Sequence, residues 1–198
     1  MIVVVRHGRT AANARGLLLG RADPPLDDEG VRQAAALGAE CAGLDVARVV
    51  TSPLQRCRRT AEAVAARTGP VEVAVDERWI ELDYGDFDGR AIGDLPAGTW
   101  DTWRGDVGWR PPGGESLADL GARVRDACAD LVAEARDRDV VVVSHVSPIK
   151  AAVAWALGVG DEVAWRLWVA PASITRIGWG TAGPALRSFN EVAHLARP

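Results

Sequence analysis

At 198 residues the chain is the size of one ordinary domain, able to bury roughly two-thirds of its unfolded surface without disulfides or metals. A hydrophobic share of 48% against 25% charged excludes disorder and fibrous repeats, and no apolar run approaches the ~18 residues of a membrane helix. The net charge of −4 argues against nucleic acid or an anionic membrane as the bulk partner.

Residues 2–5 are a continuous apolar run and predict a strand buried on both faces. This start has no basic leader and too short an apolar stretch for a signal peptide, so a cytoplasmic location is expected. Asp27 caps a helix to about Leu44, with Val31, Ala34, Ala35, Leu37 and Gly38 along one side. Residues 46–51 predict a second strand. Pro53 then falls in the first turn of a helix reaching about Arg67. Residues 71–75 predict a third strand, ended by an acidic turn. Residues 83–115 are rich in Gly, Pro, Asp and Trp and have no clear period, the mark of a functional loop in a compact domain. A helical period returns over 116–136 (Leu117, Leu120, Val124, Ala127, Leu131), and 140–143 predict another buried strand. Ser147-Pro148 opens a helix to about Leu157, and residues 173–179 and 184–190 predict a closing hairpin. The G-x-G-x-x-G string from Gly178 to Gly183 precedes Pro184 and no helix, so it predicts the hairpin turn and not a dinucleotide site. Cys41, Cys57 and Cys128 have no C-x-x-C spacing and predict neither a disulfide framework nor a zinc site.

Repeated β-α-β units predict an α/β fold: a three-layer α/β/α sandwich, a mainly parallel sheet with helices on both faces. One domain over 1–198 is expected, with 83–115 as an irregular, lid-like segment over the site. Ligands bind outside the carboxyl ends of parallel strands. Arg6-His7-Gly8, Ser52 and Ser144-His145 each follow a predicted strand there, so they are expected on one edge of the sheet.

Four arginines (Arg6, Arg9, Arg15, Arg21) precede Asp23 with no acid among them, and Arg56, Arg58 and Arg59 lie in a second acid-free stretch. Such clusters fit a pocket for a small anion, since guanidinium groups bind phosphate bidentately. Lys150 is the only lysine, so a general preference for arginine accounts for them equally well. A neutral imidazole beside arginines is a competent nucleophile toward phosphorus. An acid must then protonate the leaving oxygen, and Glu77, Glu81, Asp83, Asp86 and Asp88 are the candidates.

Arg6-His7-Gly8-Arg9-Thr10 followed by Asn13 is similar to the R-H-G-[E/Q/R]-T-x-x-N signature of the histidine phosphatase superfamily, the phosphoglycerate mutase-like family. Gly20-Arg21-Ala22-Asp23-Pro24-Pro25-Leu26 with Gly30, and Ser52-Pro53-Leu54-Gln55-Arg56 through Glu62, resemble the family's next two motifs. Glu81-Leu82-Asp83-Tyr84-Gly85, Pro112-Gly113-Gly114-Glu115-Ser116 and Ser144-His145 follow in the family's order. The resemblance implies His7 as a nucleophile forming phosphohistidine, and Arg6, Arg56 and His145 on the phosphoryl oxygens. It implies Glu81 as proton donor, Asn13, Gly20, Arg21 and Arg58 on the substrate side, and no metal or organic cofactor. Asp86-Phe87-Asp88-Gly89, where many members have W-E-G, and Val146 to Lys150 after the second histidine depart from the pattern and bear on the substrate.

The function implied is a phosphatase acting on small-molecule phosphate monoesters. A phosphoglycerate mutase would use the same residues, with Arg104 and Arg110 available as a carboxylate clamp. An inactive, phosphoprotein-binding member is the third reading. A homodimer is one assembly the sequence leaves open. His194 matches no motif and is expected at the surface, Cys57 is expected to be buried, and Trp155, Trp165, Trp168 and Trp179 are expected in core or edge packing. Trp100, Trp103 and Trp109 lie in the irregular segment, where they shape substrate selection or simply pack.

Overall fold

The two longest runs of β-branched residues become the centre of a six-stranded sheet in the computed structural model, which describes residues 1–196. β1 (Ile2–Arg6) pairs in parallel with β4 (Asp139–Ser144), from Ile2 opposite Val140 to Arg6 opposite Ser144. β2 (Val46–Thr51) lies parallel to β4, and β3 (Glu72–Val75) lies parallel outside β2. β5 (Ile174–Gly180) and β6 (Gly183–Glu191) form the expected hairpin, antiparallel beside β1. The order β3-β2-β4-β1-β5-β6 is thus mainly parallel, and the glycine string is a turn with Gly180 opposite Gly183.

Alternation along β1 splits the core in two. Val3 and Val5 pack with Leu37 and Cys41 of α2 (Asp28–Cys41) and with Cys57, Ala61 and Val64 of α3 (Gln55–Thr68). Ile2 and Val4 face the other way, onto Leu120, Val124 and Leu131 of α5 (Leu117–Asp137) and Ile149 of α6 (Val146–Leu157). Helices on both faces complete the three layers. All three cysteines are buried free thiols. Among the described residues, no helix is long and apolar enough to cross a membrane.

Asp27 caps α2 as expected, accepting from the Gly30 N–H at 2.8 Å. The helix ends at Cys41 rather than near Leu44, and its buried stripe of Gly30, Ala34, Leu37, Gly38 and Cys41 omits Ala35 and Val31, the latter 58% exposed. Gly8 and Gly30 explain how tightly this helix meets the loop after β1. A Cβ on Gly8 would stand 2.3 Å from the Gly30 carbonyl oxygen, a crossing closed to any side chain. α3 begins at Gln55, two residues after Pro53, because its cap is not local: the Asp23 carboxylate accepts from the Gln55 N–H at 2.9 Å.

The segment 83–115 is only partly irregular. It contains single 3-10 turns at Gly85–Phe87 and Ile92–Asp94, the short helix α4 (Thr99–Gly105), and Trp103, which is fully buried in the core. Trp109 stacks near Phe87 and tilts against Trp103. His194 corrects the surface expectation. The closing turn Ala193–Ala196 packs on α2, burying the ring, whose Nε2 lies 3.0 Å from the Ala172 carbonyl.

Candidate active site

Register alone brings the two imidazoles together. Arg6 and Ser144 end their strands side by side, His7 and His145 follow, and the ring centroids lie 5.1 Å apart. The hydroxyl of Ser52, the residue after β2, lies 2.7 Å from His145 Nε2. The three strand ends therefore meet on one edge, as the sequence predicts.

The protons on both rings follow from their partners. His7 Nδ1 is 2.7 Å from the Gly8 carbonyl, which only accepts, so Nδ1 carries the hydrogen and Nε2 keeps a lone pair. Arg56 Nε donates to His145 Nδ1 at 3.3 Å, so Nε2 of that ring carries the hydrogen and donates to Ser52. Burial, then the Arg56 and Arg6 charges, holds His7 well below the usual imidazole range. Burial and Arg56 do the same for His145, with smaller contributions from His7 and Arg6. Both rings are neutral. Burial also pushes the neighbouring Cys57 thiol up, so it is a packed, neutral thiol, as expected.

Arg56 is fully buried, with Nη1 on the Ala22 carbonyl and Nη2 on the Gly20 carbonyl, each at 2.7 Å. That loop is held in turn by Asp88, whose two carboxylate oxygens accept from the Gly20 and Ala22 N–H groups, each at 2.8 Å. A Cβ on Gly20 would stand 2.8 Å from the Leu82 carbonyl oxygen, so only glycine passes there. Gly20 thus reaches the site through its carbonyl on Arg56. Arg6 donates Nη1 to the Val169 carbonyl at 2.7 Å, and its buried Nε has no protein partner. Burial draws its pKa down to about 10, with Glu81 opposing, so it stays cationic near neutrality.

The structure sorts the five candidate acids. Glu81 is buried, with Oε1 accepting from Leu82 N at 2.7 Å and Ser147 N at 3.2 Å, and Oε2 from Val146 N at 3.1 Å. The last two donors are free N–H groups of the first turn of α6. Glu77 and Asp86 are exposed, and Asp83 caps a turn at Gly85 N while pairing with Arg21.

Arg6, His7 and Glu81 line a cavity of about 360 Å³ with Asn13, Tyr84 and Lys150, beside an apolar wall of Leu17, Leu18, Leu19, Ile92, Trp168, Val169 and Pro171. Asn13 belongs to α1 (Ala11–Ala14), where its side-chain oxygen accepts from Thr10 in a capping box. Arg21 and Arg58 do not line this cavity. Arg21 is drawn to Asp83 (3.3 Å) and Glu115 (3.7 Å), and Arg58 points to solvent from α3. Arg104 and Arg110 pair with Asp101 and Asp119 instead of reaching the cavity. Trp168 corrects the packing expectation: it is 73% exposed on the cavity wall. Lys150 is absent from the expected site residues, since a single lysine one turn into a helix makes no motif; its being the only lysine, at the end of the departing stretch from Val146, is the available signal. Among the described residues, no group of three His, Cys, Asp or Glu is placed to hold a metal ion.

The family model of the histidine phosphatase superfamily (branch 1) matches residues 2–192. The chain belongs to this superfamily. Within it, the chain is 34% identical over 98% of its length to the "Bifunctional protein Rv2228c" of Mycobacterium tuberculosis, but spans only 54% of that relative. It is 32% identical over its whole length to the "Probable phosphoglycerate mutase GpmB" of Salmonella choleraesuis, covering 95% of that protein. Among solved histidine phosphatase structures, mycobacterial glucosyl-3-phosphoglycerate phosphatase Rv2419c in complex with VO3 matches with a TM-score of 0.88 and 31% identity, over 96% of this chain and 99% of the other.

Proposed function

We propose that this histidine phosphatase hydrolyses small-molecule phosphate monoesters without a cofactor, through a phosphohistidine on His7. The observation that carries the reading is the neutral His7, whose Nε2 lone pair is left free while Arg6 and Glu81 line the same cavity. In this reading Nε2 attacks phosphorus and the bond to the ester oxygen breaks, with Glu81 giving that oxygen its proton. A water then loses a proton to the Glu81 carboxylate as its oxygen attacks phosphorus, and the P–N bond breaks to release inorganic phosphate. Arg6 supplies Nε to the phosphoryl oxygens, and the buried Arg56, held on the Gly20 and Ala22 carbonyls, adds its positive charge to the field around His7. The resemblance puts His145 on the phosphoryl oxygens too, but its ring nitrogens are engaged by Arg56 and Ser52, so we assign it the holding of Arg56. The apolar wall and Trp168 would take the alcohol portion of the ester.

The mutase reading draws on the 32% identity to the probable phosphoglycerate mutase. An assay of phosphate release over a panel of monoesters, beside interconversion of 3- and 2-phosphoglycerate, separates the two. Release should exceed interconversion. Interconversion faster than release from every monoester would overturn the hydrolase reading, and neither activity would favour the binding-only reading.

A further inference from the structure

We propose that Lys150 binds a carboxylate of the substrate in a small chamber adjoining the reaction cavity, which makes the preferred substrates phosphorylated hydroxy acids. The proposal rests on the phosphatase site above and deepens it. The chamber, of about 70 Å³, shares Leu18, Tyr84, Val146 and Lys150 with the reaction cavity, so the side chain of Lys150 stands on the boundary of both.

Every other cation around the site has protein partners. Arg6 and Arg56 are on carbonyls, and Arg21, Arg104 and Arg110 are in ion pairs. Lys150 is half-buried and, among the described residues, makes no hydrogen bond or ion pair; Glu81 and Arg6 are the charges that bear on it. A sheltered ammonium without a partner is costly and is stabilised by an incoming anion.

The chamber's other walls point to the same ligand. Trp103 is fully buried and Trp165 is half-buried, both line the chamber, and the indole N–H of each is buried without an acceptor. An indole nitrogen donates only, and no lining residue is acidic. An unpaired ammonium at the rim of a small chamber with no acidic group in its walls fits a carboxylate. The monoester phosphate stays on Arg6 and His7, so the carboxylate and the phosphate belong to one small molecule.

Binding can be read without turnover in a His7→Ala chain, by calorimetric titration with 3-phosphoglycerate and with glycerol 3-phosphate, which replaces the carboxylate by a neutral hydroxymethyl group. The His7→Ala chain should bind 3-phosphoglycerate roughly 10- to 100-fold more tightly, the worth of one charge-assisted hydrogen bond set. Adding Lys150→Met should bring the ratio to near one, while Lys150→Arg should keep a preference. Equal binding of the two esters by the His7→Ala chain, or a preference that survives Lys150→Met, overturns the proposal. The first of these readings needs no substitution at Lys150, so a poorly folding Lys150→Met chain does not remove the test. Preferential binding with no phosphate release by the native chain would sink the phosphatase reading and keep the carboxylate site; release without preference would do the reverse.

Discussion

His145, packed against His7, has no exposed surface and a partner on each ring nitrogen, whereas Trp168, on the wall of the cavity that His7 lines, leaves 73% of its surface exposed. The contrast extends to their neighbours. Arg6 and His7 come from the end of β1 and Arg56 from the first turn of α3. Glu81 lies on a connecting segment but is held by first-turn N–H groups of α6, and all four are tied by hydrogen bonds to backbone groups. Leu17, Leu19 and Ile92 come from connecting segments and only line space. The phosphoryl end is fixed by sheet register, so its groups are preorganised for charge that develops in the reaction. The substrate end is carried by segments that can change without disturbing the sheet.

The largest expected effect is at the rigid end. His7→Ala should lower phosphate release by several orders of magnitude with the fold retained by circular dichroism. Glu81→Gln should lower kcat by about 10²- to 10⁴-fold on alkyl phosphates and less on an aryl phosphate, whose oxygen leaves without a proton. Equal losses on both would remove Glu81 from the acid role.

The buried neutral histidines also set a pH dependence. Both are held well below 6.5 in the folded chain, while unfolded histidine titrates near 6.5. Below that value the unfolded chain takes up protons that the folded one does not. Stability is therefore full above about pH 6.5 and falls as the pH drops below it, by about 1.4 kcal/mol per pH unit for each histidine. Urea unfolding between pH 7 and pH 5 checks the slope, and a flat profile would mean that the rings are charged in the fold.

Much of the rigid end was legible because it is local. Valine runs predict β1 and β4, and the residue after each run is positioned by the pairing itself. What escaped is what joins distant parts of the chain. The cap of α3 is Asp23, 32 residues before Gln55, so Pro53 gave a false start. Asp88 was one acid among five until its bonds to Gly20 and Ala22 revealed a clamp on the loop that holds Arg56. Arg21 and Arg58 share a motif's charge, but a neighbouring pair of acids takes one and solvent the other. Trp168 and His194 carry no local signal, since their surroundings come from elements far away in sequence, and Lys150 has only that of being the one lysine.

The Asp88 clamp gives a test between the two regimes. Asp88→Ala frees the loop under Arg56 and should lower kcat/KM by about tenfold, with Asp88→Asn recovering part of the loss through its remaining acceptor oxygen. No change would detach the clamp from catalysis. The smallest effect belongs to the exposed wall, where Trp168→Ala should raise KM for bulky esters by about fivefold or less, in line with losing part of one apolar contact. A collapse of kcat instead would place Trp168 among the rigid groups.

The most direct measurement follows the phosphorus atom. Native protein mixed with a radiolabelled monoester and quenched in alkali within a turnover should carry an acid-labile label, and peptide mapping should find it on His7 at one equivalent or less per chain. Label on His145, on a serine or on a cysteine, or steady turnover by the His7→Ala chain, would contradict the account.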